Sequence, residues 1–430
     1  MMRSALPLRS MRFATQRRGM ASAARDALLK ESPDDVVITY ARRTPLTRAK
    51  KGGLRDTSAD GLLYKMLKGG IAESGVKPEQ VQDIVAGTCH APSPCYEVRA
   101  ASLAAGFPES TPAEAVNRLC GSGLMALRHI SDSIRAGDID IGVAVGYESM
   151  STNPRPTPVF KEATILENPP SVDCAKPMGW TSEMLALDYN ISREKQDEYG
   201  LMSHNRAEAA QKAGRFDAEI MPIETTVLAD PEKPDGERTA VTIDKDDGIR
   251  VGLTMDKMVK ARPAFKGMGD ERSTGPNSSQ MTDGAAMAVL MRRSKAEELG
   301  LPVLATHKGT SVVGVSPRVM GIGPVEAIPI VLKRAGIETG DVDLFEINEA
   351  FGSMYVYCVE KLGLDIAKVN PNGGGIALGH PLGATGVRQV VTGVSEIRRR
   401  QKEGEAKGKQ VLVTSMCIGS GMGAAGLFVV

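Results

Sequence analysis

Four residues in this 430-residue chain sit in settings where side chains do chemistry. Cys120 precedes Gly121-Ser122-Gly123 and a stretch of helical periodicity at 124–130. Its thiol is therefore expected near a helix N-terminus, where the macrodipole and free N–H groups favour thiolate. A single Cys is more often a small core residue, but the glycines beside this one would let a bulky substrate approach the backbone. His380 lies in Asn370-Pro-Asn-Gly-Gly-Gly-Ile-Ala-Leu-Gly-His-Pro-Leu-Gly-Ala-Thr-Gly386, too rich in Gly for regular helix or strand. Such a loop brings an imidazole and backbone close to something. Asn348 and Glu349 follow a short β-rich run; there a carboxamide can hold a water, donate to a developing oxyanion, or merely cap the next helix. The segment Val116 to Gly123 is echoed by Val413 to Gly421, each placing a Cys after an apolar stretch and before small residues. The echo suggests pseudo-symmetry, with Cys120 and Cys417 approaching one central site.

The elements that must position these groups alternate. Residues 36–40, 83–87, 139–145, 285–291, 312–315, 342–347, 411–415 and 427–430 read as buried strands. Residues 60–72 and 123–136 read as helices, so an α/β layered architecture is expected, with the sheet motif built twice. From about 150 to 280 the chain becomes rich in Pro, Asn, Asp, Glu and Lys, with one helical segment at 193–214 after Ser192 as its cap. This predicts an excursion over the core. The domain reading is a targeting or disordered segment at 1–35, an N-terminal half at 36–149 plus 280–300, a loop domain at 150–279, and a C-terminal half at 301–430.

Composition excludes several classes. Lys+Arg 53 against Asp+Glu 52 gives a net charge of +1, so a basic nucleic-acid footprint is missing. Aromatics are 4% with Trp180 the one Trp, which argues against base-stacking platforms and membrane belts. No apolar run reaches bilayer length. The six Cys lack CxxC spacing and read as thiols of a reducing compartment. The remaining histidines, His90, His129, His204 and His307, show no metal-ligand spacing and read as surface or capping residues. The Gly-rich stretches fit neither a dinucleotide fold nor a Walker A loop. Residues 1–25 carry six Arg and no acid, the composition of a mitochondrial transit peptide. A peroxisomal N-terminal signal is half present, with Arg9 and Gln16 correctly spaced, and the final Phe428-Val429-Val430 is not a peroxisomal tripeptide.

At these motifs the chain resembles the thiolases, specifically the degradative 3-ketoacyl-CoA thiolases of peroxisomal type. The nucleophile motif is matched at 117–123, Asn-Glu-Ala-Phe at 348–351, Gly-His-Pro at 379–381 and the second Cys motif at 417–423. The resemblance covers residues 36–430. It implies a five-layered αβαβα subunit of two similar halves with an inserted loop domain, assembled as a homodimer or homotetramer. It also implies that Cys120 attacks the 3-keto carbon, His380 takes the thiol proton, and Cys417 protonates the departing enolate. Asn348, through a water, and His380 would face the enolate oxygen, while the N–H groups of Cys120 and Gly419 would cradle the thioester oxygen. Ser279 would touch the pantetheine, and Met178, Phe265 and Met320 would line the tunnel, though core packing explains Met and Phe equally well. Coenzyme A is then a co-substrate, and no tightly bound cofactor or metal is expected. Gly121, Met125 and Gly352 depart from residues common in the peroxisomal type. A non-catalytic acyl-CoA or lipid carrier, a biosynthetic acetoacetyl-CoA thiolase and a Cys/His hydrolase are the competing functions; the carrier leaves two thiols without purpose and the hydrolase leaves Cys417 idle. For compartment, the leader points to the mitochondrial matrix and the resemblance to the peroxisome.

Overall fold

The computed structural model describes residues 23–430 except 231, 232 and 234. Twelve strands are present among them: β1 (Val36–Arg43), β2 (Thr47–Arg48), β3 (Asp83–Gly87), β4 (Ala113–Val116), β5 (Ile141–Ser149), β6 (Ile223–Leu228), β7 (Arg238–Ile243), β8 (Thr282–Arg292), β9 (Ala305–Gly314), β10 (Leu344–Ile347), β11 (Val411–Ile418) and β12 (Met422–Val429). In the N-terminal half the order is β4-β3-β5-β8-β1. Here β3 runs parallel to β4 and β5, while β8 is antiparallel to β5 and β1. The C-terminal half repeats this as Val369, β10, β11, β12 and β9, with the same parallel and antiparallel steps. Even the irregularity recurs, falling between Ile38 and Tyr40 in one half and between Leu427 and Phe428 in the other. The two sheets join where Val37 pairs with Thr306 and Ile38 with Ala305.

This repeat corrects the expected echo of the two cysteines. Counting from the matching irregularities, Ala286 corresponds to Ala424; their partners Gly146 and Met416 make Tyr147 the counterpart of Cys417. Cys120 instead precedes a helix, so the two thiols are not symmetry mates. The similar strings reflect two different chain turns that happen to need small residues.

Alternation along the strands sorts side chains into layers. Val37, Ala285, Met287 and Val289 join the helices Ala59–Glu73 and Pro94–Ala104 in one outer core. Ile347, Val413 and Leu427 join Gly323–Ala335 and Gly352–Leu362 in the other. Val36, Ile38, Ala286, Leu412 and Met416 face inward onto Ser122–Ala136 and Thr385–Lys402, the central helices. The result is five layers, helix, sheet, helix, sheet, helix. The central helices cross at glycine: a Cβ on Gly386 would lie 2.2 Å from the Leu124 nitrogen, and one on Gly123 would lie 2.6 Å from the Gly383 oxygen. That contact brings the Cys120 and His380 loops together.

The chain between β5 and β8 holds more structure than expected. Besides Arg193–Lys212, capped by Ser192 through the Lys195 N–H, it contains Met178–Asp188, three short helices and the β6–β7 hairpin. Its seat is charged and buried: Arg43 on β1 bonds Glu219 at 2.6 Å and Asp246 at 2.7 Å. Part of the segment's polar composition goes into seating it on the core, with Glu183, Asp197, His204, Glu219 and Asp246 all buried. Residues from 23 on also depart from the expectation of a leader reaching 35. They form a helical turn at 23–28, with Leu28 and Leu29 on the C-terminal outer core and Arg25 paired with Asp343 at 2.6 Å. His204 and His307 are not surface residues; they are buried, His307 against Ser131 Oγ at 2.6 Å and the Phe428 ring.

Candidate active site

β4 ends at Val116, and Asn117 folds the chain back: its Oδ1 accepts the Leu119 N–H at 2.9 Å and its Nδ2 donates to the Cys89 carbonyl at 3.0 Å. Ser122 Oγ accepts the Arg118 N–H at 2.9 Å and donates to the Leu119 carbonyl at 2.6 Å. These bonds hold Leu119 at φ +48°, a left-handed conformation costing a side-chain-bearing residue about 1–3 kcal/mol. Cys120 follows directly and is buried. Burial raises its thiol to about 11, although the N–H groups of Gly419 and of Cys120 itself point at the sulfur and favour the anion. The tilt toward thiolate expected from the helix terminus is thus outweighed, and the resting group is a thiol whose proton must be taken. Desolvation is the largest influence on this thiol, and the helix itself begins at Ser122.

His380 enters from the other half. Gly379 has φ +107°, and a Cβ there would lie 2.3 Å from Thr282 Oγ1, so glycine is required for the approach. The His380 N–H donates to Thr282 Oγ1 at 3.0 Å. Its ring is oriented by Thr385, whose Oγ1 lies 2.6 Å from Nδ1 and itself donates to the Pro381 carbonyl at 2.8 Å. With that proton committed, Thr385 accepts from Nδ1–H, which leaves Nε2 as the lone-pair nitrogen. Burial, reinforced by the nearby Arg388 charge, lowers the imidazole to about 3, so it stands neutral with its Nε2 lone pair free.

Asn348 leaves the end of β10 with its N–H on the Ser415 carbonyl and its Nδ2 3.3 Å from His380 Nε2. Glu349 points elsewhere and fastens the glycine loop, accepting from Ser203 at 2.5 Å, Asn370 at 2.7 Å and the Ile376 N–H at 3.2 Å. Cys417, near the end of β11, is raised well above an ordinary thiol by burial and then by the neighbouring Cys120. The two cysteine loops touch: a Cβ on Gly121 would lie 2.6 Å from Ile418 Cδ1. Ser420, at φ +59°, turns the chain so that the Gly419 N–H faces Cys120. The two thiols are thus neighbours with a backbone N–H directed at one of them, and the His380–Asn348 pair is brought to them by the loop whose Gly383 oxygen packs against Gly123, three residues beyond Cys120.

The pocket residues separate into two groups. Met178 lies beside Gly419, 3.5 Å from where its Cβ would be, and Phe265 covers Gly179 and meets Phe351 edge-on at 5.9 Å. Ser279 is half-buried and tied by its N–H to the Ala350 carbonyl at 3.0 Å, two residues beyond Asn348. Met320, by contrast, is buried in the C-terminal outer core with Cys417 and Met354. A separate cleft of about 1450 Å³, lined by Tyr40, Arg42, Arg215, Arg398 and Lys402 among others, contains none of these residues. Sequence reading missed Thr385, which orients the ring, and Glu148, whose carboxylate lies near Cys120. A hydroxyl at a helix start reads as a cap; the one available signal for Glu148 was an acid closing a long apolar strand.

Residues 36–294 match the family described as thiolase, N-terminal domain, and residues 301–430 match thiolase, C-terminal domain. The chain belongs to the thiolase family. It is 48% identical over 398 residues to 3-ketoacyl-CoA thiolase B, peroxisomal, of Rattus norvegicus, covering 92% of this chain and 91% of that protein. Among solved structures, the dimeric peroxisomal thiolase of Saccharomyces cerevisiae aligns with TM-score 0.85 and 41% identity over 94% of this chain and 99% of the other. Human mitochondrial 3-ketoacyl-CoA thiolase in complex with CoA aligns with TM-score 0.79 and 34% identity over 92% and 98%. The thiolases bearing more sequence similarity are thus the peroxisomal ones, against the mitochondrial expectation drawn from the leader. That expectation rested on residues 1–25, of which 1–22 lie outside the described ones.

Proposed function

We propose that the chain cleaves 3-ketoacyl-CoA with coenzyme A, giving acetyl-CoA and an acyl-CoA two carbons shorter. The observation that supports this reading is a neutral, tautomer-fixed His380 on a loop whose Gly383 packs against Gly123 of the nucleophile segment, beside two neighbouring buried thiols, one of them under a backbone N–H. Cys120 starts as a thiol, and His380 Nε2 takes its proton as sulfur adds to the 3-keto carbon. The imidazolium so formed presents Nε2–H beside Asn348 Nδ2, two donors directed at the oxygen of the enolate that leaves. Cys417 gives that enolate carbon a proton, releasing acetyl-CoA and leaving an acyl thioester on Cys120. Its carbonyl oxygen fits the N–H groups of Cys120 and Gly419. The proton on His380 returns to the Cys417 thiolate; a second coenzyme A thiol then gives its proton to His380 as its sulfur attacks the thioester, and the expelled Cys120 thiolate takes that proton back, so the kinetics are ping-pong. Met178 and Phe265 supply apolar wall beside this centre, Ser279 a polar contact near its mouth, and Met320 support from behind.

The assembly supported by the yeast relative is a dimer. A peroxisomal location is supported by the names of the more similar relatives. Full-length chain fused at its C-terminus to a fluorescent protein is expected in peroxisomes; mitochondrial fluorescence overturns that part of the reading. The reaction itself is tested by the loss of magnesium-enolate absorbance of acetoacetyl-CoA and longer 3-ketoacyl-CoAs when coenzyme A is added. Wild type should consume the signal and show an acyl adduct on Cys120 by mass spectrometry, and Cys120→Ala should show neither. Full activity of Cys120→Ala, or release of free acid without coenzyme A, ends the reading.

A further inference from the structure

Glu148 is fully buried near the end of β5 and takes no part in the chemistry above. Its carboxylate is nonetheless surrounded by donors. Oε1 accepts from Thr88 Oγ1 at 3.3 Å and the His90 N–H at 3.0 Å. Oε2 accepts from the Cys89 N–H at 2.9 Å and the Gly383 N–H at 3.0 Å. The first three donors belong to the turn after β3, and the Cys89 carbonyl of that turn receives Asn117 of the nucleophile loop at 3.0 Å. The fourth lies three residues beyond His380, in the other half of the molecule. One carboxylate therefore ties both halves together at the point where the two reactive loops meet.

We propose that Glu148 is a positioning residue that sets the distance and angle between Cys120 and His380 by holding Gly383 and the Cys89–His90 turn on one carboxylate. The proposal rests on the assignment of Cys120 and His380 given above. The link acts at a close approach of backbone, since a Cβ on Gly383 would lie 2.5 Å from the Tyr147 oxygen and 2.6 Å from the Gly87 oxygen. Each Glu148 oxygen serves two donors, so an amide at this position must turn an NH2 group against an existing pair of them. The carboxylate also acts on the nucleophile directly, because its charge opposes ionisation of the Cys120 thiol while the Arg155 charge favours it.

The test uses Glu148→Gln and Glu148→Asp in the full chain, after gel filtration and circular dichroism confirm a folded enzyme. Both are expected to lose kcat about 100-fold while KM for 3-ketoacyl-CoA changes less than about 3-fold, as misplacement of a reacting pair predicts. The pH dependence of Cys120 alkylation by iodoacetamide separates positioning with charge from scaffolding alone. Its midpoint should fall in Glu148→Gln, which removes the charge, and stay at the wild-type value in Glu148→Asp, which keeps it. A kcat within 3-fold of wild type in either folded variant overturns the proposal, as does an unmoved alkylation midpoint in Glu148→Gln. Failure of both variants to fold assigns the residue to the scaffold and also overturns it. Cys120→Ala, assayed in parallel, reports on the underlying assignment independently: if it retains activity, the reading of the site fails whatever Glu148 does.

Discussion

His380 Nδ1 lies 2.6 Å from Thr385 Oγ1, whose own proton goes to the Pro381 carbonyl, so one hydroxyl decides which imidazole nitrogen can act as a base. Partners that orient a functional imidazole are typically worth about 10- to 100-fold. Thr385→Val should lower kcat by that amount with little change in KM, and Thr385→Ser should restore most of it. Steady-state thiolysis kinetics decide the matter; a Val variant as active as wild type removes the tautomer argument.

Cys417 acts only on the departing or arriving carbanion in the mechanism above. Cys417→Ala should therefore lose thiolysis by about 10²- to 10⁴-fold, the usual worth of a placed acid or base. Transfer of an acyl group from a saturated acyl-CoA to Cys120 needs no carbanion and should survive. Intact-protein mass spectrometry of the variant incubated with acetyl-CoA reads the adduct, and its absence would show that Cys417 also serves the acyl-transfer step.

The central helices leave no space for a methyl group at their crossing. Gly386→Ala places a Cβ 2.2 Å from the Leu124 nitrogen, a backbone atom that cannot swing away. Overpacking typically costs about 1–3 kcal/mol and can exceed that against rigid backbone. A lowered denaturation midpoint is expected together with a larger loss of kcat than the stability loss explains, because the displaced helix carries the His380 loop. Calorimetry and kinetics on the same preparation separate the two effects.

Three buried histidines make the fold sensitive to acid. Burial lowers His380 and His307 to about 3 and His204 to about 4. In the unfolded chain each accepts a proton near pH 6.5, so the unfolded state binds more protons over the interval below that value. The stability these groups contribute is complete above pH 6.5 and declines as pH falls toward 3–4, by about 1.4 kcal/mol per pH unit for each fully effective residue. Urea midpoints measured from pH 7 to pH 4.5 should fall, and His307→Gln should flatten the slope. An unchanged slope in that variant would mean that carboxylates dominate the acid response.

The reactive set was legible because its members sit in unusual strings: a Cys before Gly-Ser-Gly, a His inside a glycine-rich loop, an Asn after a short strand. The alternation of strands and helices was legible for the same local reason, since burial on a pleated sheet or a helix face imposes a period on the chain. Thr385 and Glu148 gave no comparable signal. Their importance lies in partners far along the sequence, the carboxylate of Glu148 reaching both Cys89 and Gly383.

What the sequence alone determined, then, was which residues are proposed as nucleophile, base and acid, together with the two-fold repetition of the sheet. The tertiary structure decided how those groups are charged and which of them meet. Local reading gave Cys120 a helix terminus that favours thiolate, whereas burial raises the thiol to about 11 and also keeps the His380 imidazole neutral. Local reading also paired the two cysteine strings by symmetry, whereas strand register makes Tyr147 the counterpart of Cys417. The physical reason is common to both: desolvation and register are set by every layer packed around a residue, and neighbours along the chain carry only a fraction of that information.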